Sequence, residues 1–190
     1  MLEKLIQDFA ATEINIPGFK AFITKKEQLT EILNYLKNDK DLRFTILNDL
    51  FAADFPDREQ RFEVVYSLLS LKLNKRILIK VNIADQEDIP SVVDIFSSAC
   101  WYEREVYDMF GIRFAGSSDL RRILTDYGFV GHPLRKDFPL TGHVQVRYDE
   151  TLKQVINEPV ILDQEFRNFD FISPWRGPEK ILPGDEKATK

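Results

Sequence analysis

The chain has 190 residues and 22.2 kDa, with 44% hydrophobic, 30% charged and 12% aromatic side chains. That is one ordinary domain, or a domain carrying a long extension, with enough apolar material for a real core; disordered and collagen-like classes are excluded. With 26 Lys+Arg against 31 Asp+Glu the formal charge is -5, which argues against a general polyanion binder, and every apolar stretch is broken long before the roughly 20 residues of a membrane span.

From the start, Met1-Leu2-Glu3-Lys4-Leu5-Ile6-Gln7-Asp8-Phe9 lacks the basic-then-apolar order of a secretory signal and the arginine-rich pattern of a transit peptide. Glu27 to Lys37 carries Leu29, Ile32, Leu33, Tyr35 and Leu36 at helical spacing, with Thr24 as its expected cap. Leu42, Phe44 and Ile46 alternate with Arg43, Thr45 and Leu47, which predicts a strand, and Asp54-Phe55-Pro56-Asp57 reads as a turn. Two further strands are expected over 62–68 and 77–83, joined as an antiparallel hairpin through Lys72-Leu73-Asn74-Lys75. Pro90 at a first helical position opens an expected helix over 91–98. This order predicts an α+β fold, a mostly antiparallel sheet with helices on one face, occupying residues 1–115.

Cys100 is the single cysteine. It forbids an internal disulfide and any four-cysteine iron–sulfur or zinc site within the chain, and beside Trp101 it reads as a small buried hydrophobe. Residues 101–112, Trp101-Tyr102-Glu103-Arg104-Glu105-Val106-Tyr107-Asp108-Met109-Phe110-Gly111-Ile112, form an expected amphipathic helix ended by Gly111. Tyr102, Val106, Met109 and Phe110 share one face, and Arg104 and Asp108 sit four apart on the other, next to Glu105. Glu103 and Glu105, two apart, point in different directions and make no catalytic carboxylate pair by themselves. An ion-pair lattice with the later arginines is the better reading of these acids.

Charge singles out the middle of the chain. Residues 1–100 hold 13 basic and 16 acidic side chains, 101–147 hold 7 and 6, and 148–190 hold 6 and 9. Asp119-Leu120-Arg121-Arg122-Ile123-Leu124 is followed by Thr125-Asp126-Tyr127-Gly128-Phe129 and by Gly131-His132-Pro133-Leu134-Arg135-Lys136-Asp137-Phe138-Pro139. Arginines flanked by acids suit buried or interfacial carboxylate recognition. The glycines lack both the spacing and the following Lys-Ser/Thr of a phosphate loop, and His132 and His143, eleven apart, make weak metal ligands. Glu103, Arg104, Glu105, Asp108, Asp119, Arg121, Arg122, Arg135, Lys136 and Asp137 are the candidate lattice, with no catalytic, cofactor or metal residues. A hydrolase built on Glu103, Glu105, Asp108 and the histidines, and a nucleic-acid module built on the Arg121–Lys136 cations, are the rival classes.

From residue 116 on, Gly and Pro punctuate the chain every few positions, with strand patterns only at Val144–Tyr148 and Gln154–Ile156. Leu124, Tyr127, Phe129, Leu134, Phe138, Phe166, Phe169, Phe171 and Trp175 are too much apolar surface for a free linker. Residues 116–190 are therefore expected to be an extended arm laid on another chain.

Taken together, Glu103 to Ile112, Asp119 to Leu124 and Gly131 to Pro139 closely resemble the signature of the 30-kDa subunit of respiratory NADH:ubiquinone oxidoreductase, complex I, in its mitochondrial form. The resemblance continues through Val146-Arg147-Tyr148-Asp149, Glu158-Pro159, Gln164 to Asp170 and Ser173-Pro174-Trp175, and reaches back to Arg61-Phe62-Glu63-Val64-Val65-Tyr66. Ser117-Ser118 stands where the family usually has His-Pro. The resemblance implies a peripheral-arm subunit on the matrix side of the mitochondrial inner membrane, or, for a bacterial relative, on the cytoplasmic face of the inner membrane. It also implies that FMN, iron–sulfur clusters and ubiquinone belong to other subunits, and that this chain packs on the 49-kDa subunit of a hetero-oligomer. In that role it supports electron transfer from NADH to ubiquinone, coupled to proton translocation, without doing the chemistry, and without nucleic acid.

Overall fold

Leu29, Ile32, Leu33 and Leu36 recur at helical spacing, and in the computed structural model, which describes residues 3–164, all four are fully buried. Their helix, α2 (Leu29–Asn38), follows α1 (Glu3–Phe9) and a single turn over Lys26–Gln28. Ten residues are too few to hold a helix in water, so burial of this stripe is what keeps α2 formed. Thr24 does not cap it: Thr24 ends a strand, and α2 begins behind Gln28 with no side-chain cap. Asp39 stops the helix, its carboxylate accepting the amides of Asp41 (2.9 Å) and Leu42 (3.0 Å).

Five strands form the sheet: β1 (Thr12–Ile16), β2 (Phe19–Thr24), β3 (Ile46–Asp54), β4 (Phe62–Ser70) and β5 (Lys75–Ile83). Their order is β1-β2-β5-β4-β3, antiparallel throughout except for β2 against β5. The register puts Phe62 opposite Ile83, Val64 opposite Val81, Tyr66 opposite Ile79 and Leu68 opposite Ile77. All eight are buried and join α2 in one core cluster, so the helices cover this face.

Two sequence expectations need correcting in this unit. Residues 42–45 are not a strand. Leu42 and Phe44 do alternate into the core, but the Phe44 amide donates to Leu36 O (2.9 Å) and Arg43 has φ 48, so the segment closes the end of α2 and the strand starts at Ile46. Residues 91–98 are not a helix either. Ile89–Pro90, strand β6, pairs in parallel with Phe114–Ala115, strand β7, and α3 begins only at Ala99 and runs to Phe110. The Val92 amide, a donor at the start of the expected helix, bonds instead to the Glu103 carboxylate of α3 (2.8 Å).

The first compact unit runs to His143, past the boundary expected at 115. The second starts at Val144 and contains a hairpin of β8 (Val144–Asp149) and β9 (Gln154–Pro159), closed by the Asp149 carboxylate on the amides of Thr151 and Leu152. One hairpin face is polar, with Gln145 donating to Glu158 (2.8 Å). The other presents Val144, Val146, Tyr148 and Val155, all exposed. Phe166, Phe169, Phe171 and Trp175, assigned to the arm from sequence, lie outside the described residues. Among the described residues no helix is long and apolar enough to cross a membrane.

Gly111 ends α3 in the left-handed region, φ 79, and a Cβ there would come within 2.7 Å of the His132 ring. Gly111→Ala is expected to lower stability by about 1–3 kcal/mol, read as a lower urea midpoint at unchanged slope.

Candidate functional site

Helix α3 carries two carboxylates with no exposed surface, Glu103 and Asp108. Five positions on a helix separate them by roughly 140° around the axis, so they serve different segments. Glu103 faces the chain before the helix. It accepts two contacts from the Ser91 hydroxyl (2.9 and 3.1 Å) and one from the Val92 amide (2.8 Å). Burial pushes its carboxyl above the usual range, and these hydrogen bonds only partly offset that.

Asp108 faces the chain after the helix. Its Oδ2 accepts three consecutive amides, Ile123 (3.0 Å), Leu124 (2.8 Å) and Thr125 (2.9 Å). Its Oδ1 accepts Arg122 Nη1 (2.8 Å) and the Thr125 hydroxyl (2.6 Å). Burial by itself would raise this carboxyl, but the Thr125 hydroxyl and the three amides outweigh it and hold Asp108 well below the ordinary carboxylate range. Arg122 spends its other nitrogen on Gly131 O (3.0 Å) and lies over the Phe129 ring.

A helix leaves its last carbonyls without partners, and here four consecutive ones are met. Tyr107 O accepts the Gly111 amide (2.8 Å), and Asp108 O accepts His132 Nδ1 (2.9 Å), which places the proton on that nitrogen. Met109 O accepts the Leu134 amide (3.0 Å), and Phe110 O accepts Arg135 Nη1 (3.3 Å). Residues 131–135 thus act as the C-terminal cap of α3.

A second charged cluster binds the same loop to the sheet. Buried Asp54 takes a two-pronged bond from Arg61, Nε at 2.7 Å and Nη2 at 2.8 Å, and also the Lys136 amide at 2.7 Å. The Arg61 guanidinium is the first cause holding the Asp54 carboxyl below its ordinary range. Arg61 goes on to Asp137 (3.0 Å), Arg135 reaches Asp85 (2.6 Å), and both guanidinium groups stand 5.1 Å from the Phe62 ring.

The candidates separate accordingly. Asp108 and Arg122 form the center; Arg135 and Asp137 join the second cluster; Lys136 contributes its backbone amide rather than its ammonium. Arg104 does not pair with Asp108. It donates to Arg121 O (2.8 Å) and Arg122 O (3.0 Å), because Asp108 is already filled. Arg121 and Asp119 pair at the surface (2.8 Å). Among the described residues Glu105 is exposed and has no ion-pair partner. Asp54, Asp85 and Ser91 were not among the sequence candidates. Asp54 reads locally as a turn residue, and its partner Arg61 stands seven positions away, visible in sequence only within the family-like run 61–66. Among the described residues no group of three His, Cys, Asp or Glu side chains could hold a metal ion.

Residues 22–144 match the family model described as respiratory-chain NADH dehydrogenase, 30 Kd subunit. A subunit of the NADH-quinone oxidoreductase of Rickettsia felis is 58% identical over 99% of this chain and 94% of that protein. The subunit of the same name from Paramagnetospirillum magneticum is 54% identical over 98% of this chain and 94% of its own length. A solved structure of a trypsin-resistant fragment of Nqo5 superposes with a TM-score of 0.56 at 29% identity, covering 63% of this chain and 98% of the fragment.

Asp108→Ala leaves Arg122, Thr125 and three amides without their acceptor, and is expected to cost about 3–5 kcal/mol in urea unfolding. The native Asp108 carboxyl binds its proton more weakly than the unfolded one. Its contribution is therefore whole above the ordinary carboxylate value of 3.8 and lost as pH falls below it. Unfolding curves between neutral pH and about pH 2 should show that loss in the native chain and a shallower one in Asp108→Asn.

Proposed function

Because the chain belongs to the respiratory-chain NADH dehydrogenase 30 Kd subunit family, we propose that it is a structural, cofactor-free subunit of the peripheral arm of a bacterial NADH-quinone oxidoreductase. It supports transfer of electrons from NADH to quinone coupled to proton translocation, and it does so by packing on the 49-kDa subunit. The observation that carries this reading is the state of the two helix carboxylates. Each has no exposed surface and spends its oxygens on local donors, Ser91 and Val92 for Glu103 and residues 122–125 for Asp108. A general acid or base must reach a substrate proton, and these two acids are engaged in positioning chain.

The relatives named are bacterial, which favors the cytoplasmic face of a bacterial inner membrane over the mitochondrial matrix side. The hairpin supports an assembly role. A two-stranded ribbon is marginal in water, and this one leaves Val144, Val146, Tyr148 and Val155 more than half exposed on one face. Flavin, iron–sulfur clusters and the quinone site are assigned to neighboring subunits. In this proposal the exposed apolar face of the β8–β9 hairpin is the surface offered to the 49-kDa subunit.

Truncation after His143 should leave a soluble, folded first unit that is missing from the complex on native gels. Full incorporation of the fragment would overturn the docking role. The purified full-length chain should oxidize no NADH with a quinone acceptor, while the membrane complex containing it does.

A further inference from the structure

Ala99, Glu103, Val106 and Phe110 fall within about 60° of one another around the axis of α3. Ala99, Val106 and Phe110 are buried in the core cluster, and Glu103 lies among them with no exposed surface. An acid therefore occupies a position in the apolar stripe. The other buried acid of the helix, Asp108, meets a guanidinium, that of Arg122 (2.8 Å). Glu103 has no ion pair among the described residues; its donors are the Ser91 hydroxyl and the Val92 amide. From the segment before the helix, Asp94 adds a repelling charge. From β4 comes the Tyr66 hydroxyl, which burial and then the Glu103 charge keep un-ionized, and from the chain beyond β7 comes Ser117. The Tyr66 and Ser117 side-chain oxygens are buried without a hydrogen-bond partner among the described residues. What the carboxyl holds is a junction. Ser91 follows β6 directly and donates its amide to Ala115 O (2.9 Å) at the end of the β6–β7 pair, so β7 holds it by its amide and α3 by its hydroxyl.

We propose that Glu103 is a proton-operated latch at this junction: protonated, it keeps Ser91 and Val92 against α3, and ionized, it lets them leave the helix more often. A neutral carboxyl sits in an apolar stripe at little cost and still accepts the Val92 amide. It also gains an O–H donor, for which the buried Ser117 and Tyr66 oxygens are acceptors. An ionized carboxyl keeps the amide but bears its charge in the core without a counter-ion, and outward movement of residues 91–92 admits water to it. Burial is the first cause that raises the native carboxyl above its ordinary value of 4.5. The latched form therefore binds its proton more tightly than the opened one. Its stabilization is whole below 4.5 and lost as pH rises through the raised native value, the opposite sense to Asp108. The latch is internal to the first unit and holds whatever the chain docks on.

The test is amide hydrogen exchange of the full-length chain, followed by NMR from pH 4.5 upward and corrected for intrinsic exchange rates. The Val92 opening constant should rise with pH by up to about tenfold per unit and then level off. The Leu134 amide, bonded to Met109 O at the other end of α3, should show no such rise. In Glu103→Gln, whose side-chain oxygen can still accept the Val92 amide, the rise should vanish. If that variant does not fold, the Glu103 carboxyl carbon of the native chain decides. Its titration midpoint must lie above 4.5 and coincide with the pH at which Val92 opening levels off. Four results overturn the proposal: Val92 opening that is flat or falls with pH, an equal rise at Leu134, a rise that survives Glu103→Gln, or a carboxyl midpoint that is not above 4.5 or not matched to the leveling of Val92 opening.

Discussion

The Asp108 carboxylate organizes the chain on the far side of its own helix. Three consecutive amides, one hydroxyl and one guanidinium converge on it. A buried carboxylate without partners would be untenable, and a loop with unmet amides would have no reason to lie against a helix. Each solves the other's problem. The charge is stabilized by oriented dipoles rather than by solvent, and residues 122–125 are given one conformation.

The consequences run in both directions along the sequence. Downstream, the loop held by Asp108 places Gly131 to Arg135 over the end of α3, where they meet carbonyls the helix leaves open. From there the Lys136 amide and Arg135 reach the Asp54–Arg61 cluster on the sheet. Upstream, Glu103 uses the same device on Ser91 and Val92. Removing one member of such a buried set leaves the rest desolvated and unpaired, so the clusters resist piecemeal change. The Arg121–Asp119 pair, in contact with water, has no such leverage.

Membership of the 30 Kd subunit family gives these features a setting. The first unit is internally satisfied at its charged clusters. Its buried acids, the arginines that meet them and the end of its helix find partners within the chain. The β8–β9 hairpin differs, since its apolar face has no partner among the described residues.

Much of this was legible in the linear pattern. Period-3.6 leucines marked α2, alternation and β-branching marked β4, β5, β8 and β9, and Gly111 marked the end of α3, because each signal is local. The failures were also physical. Residues 42–45 alternate as a strand would, but alternation reports burial and says nothing about hydrogen-bond partners, which here lie at the end of α2. Pro90 and the apolar run after it fit a helix until Glu103, more than ten residues on, takes the Val92 amide. Arg104 and Asp108 were spaced for a pair that a better-placed arginine preempted. By itself the sequence determined the α+β class, the helix with its glycine stop, and the family. Composition, periodicity and a contiguous motif suffice for those. Only the tertiary structure decided which acids are buried, which arginine each one meets, and that residues 116–143 belong to the folded unit. Those outcomes depend on desolvation and on groups brought together from distant positions, and neither quantity is a property of neighboring letters in a chain.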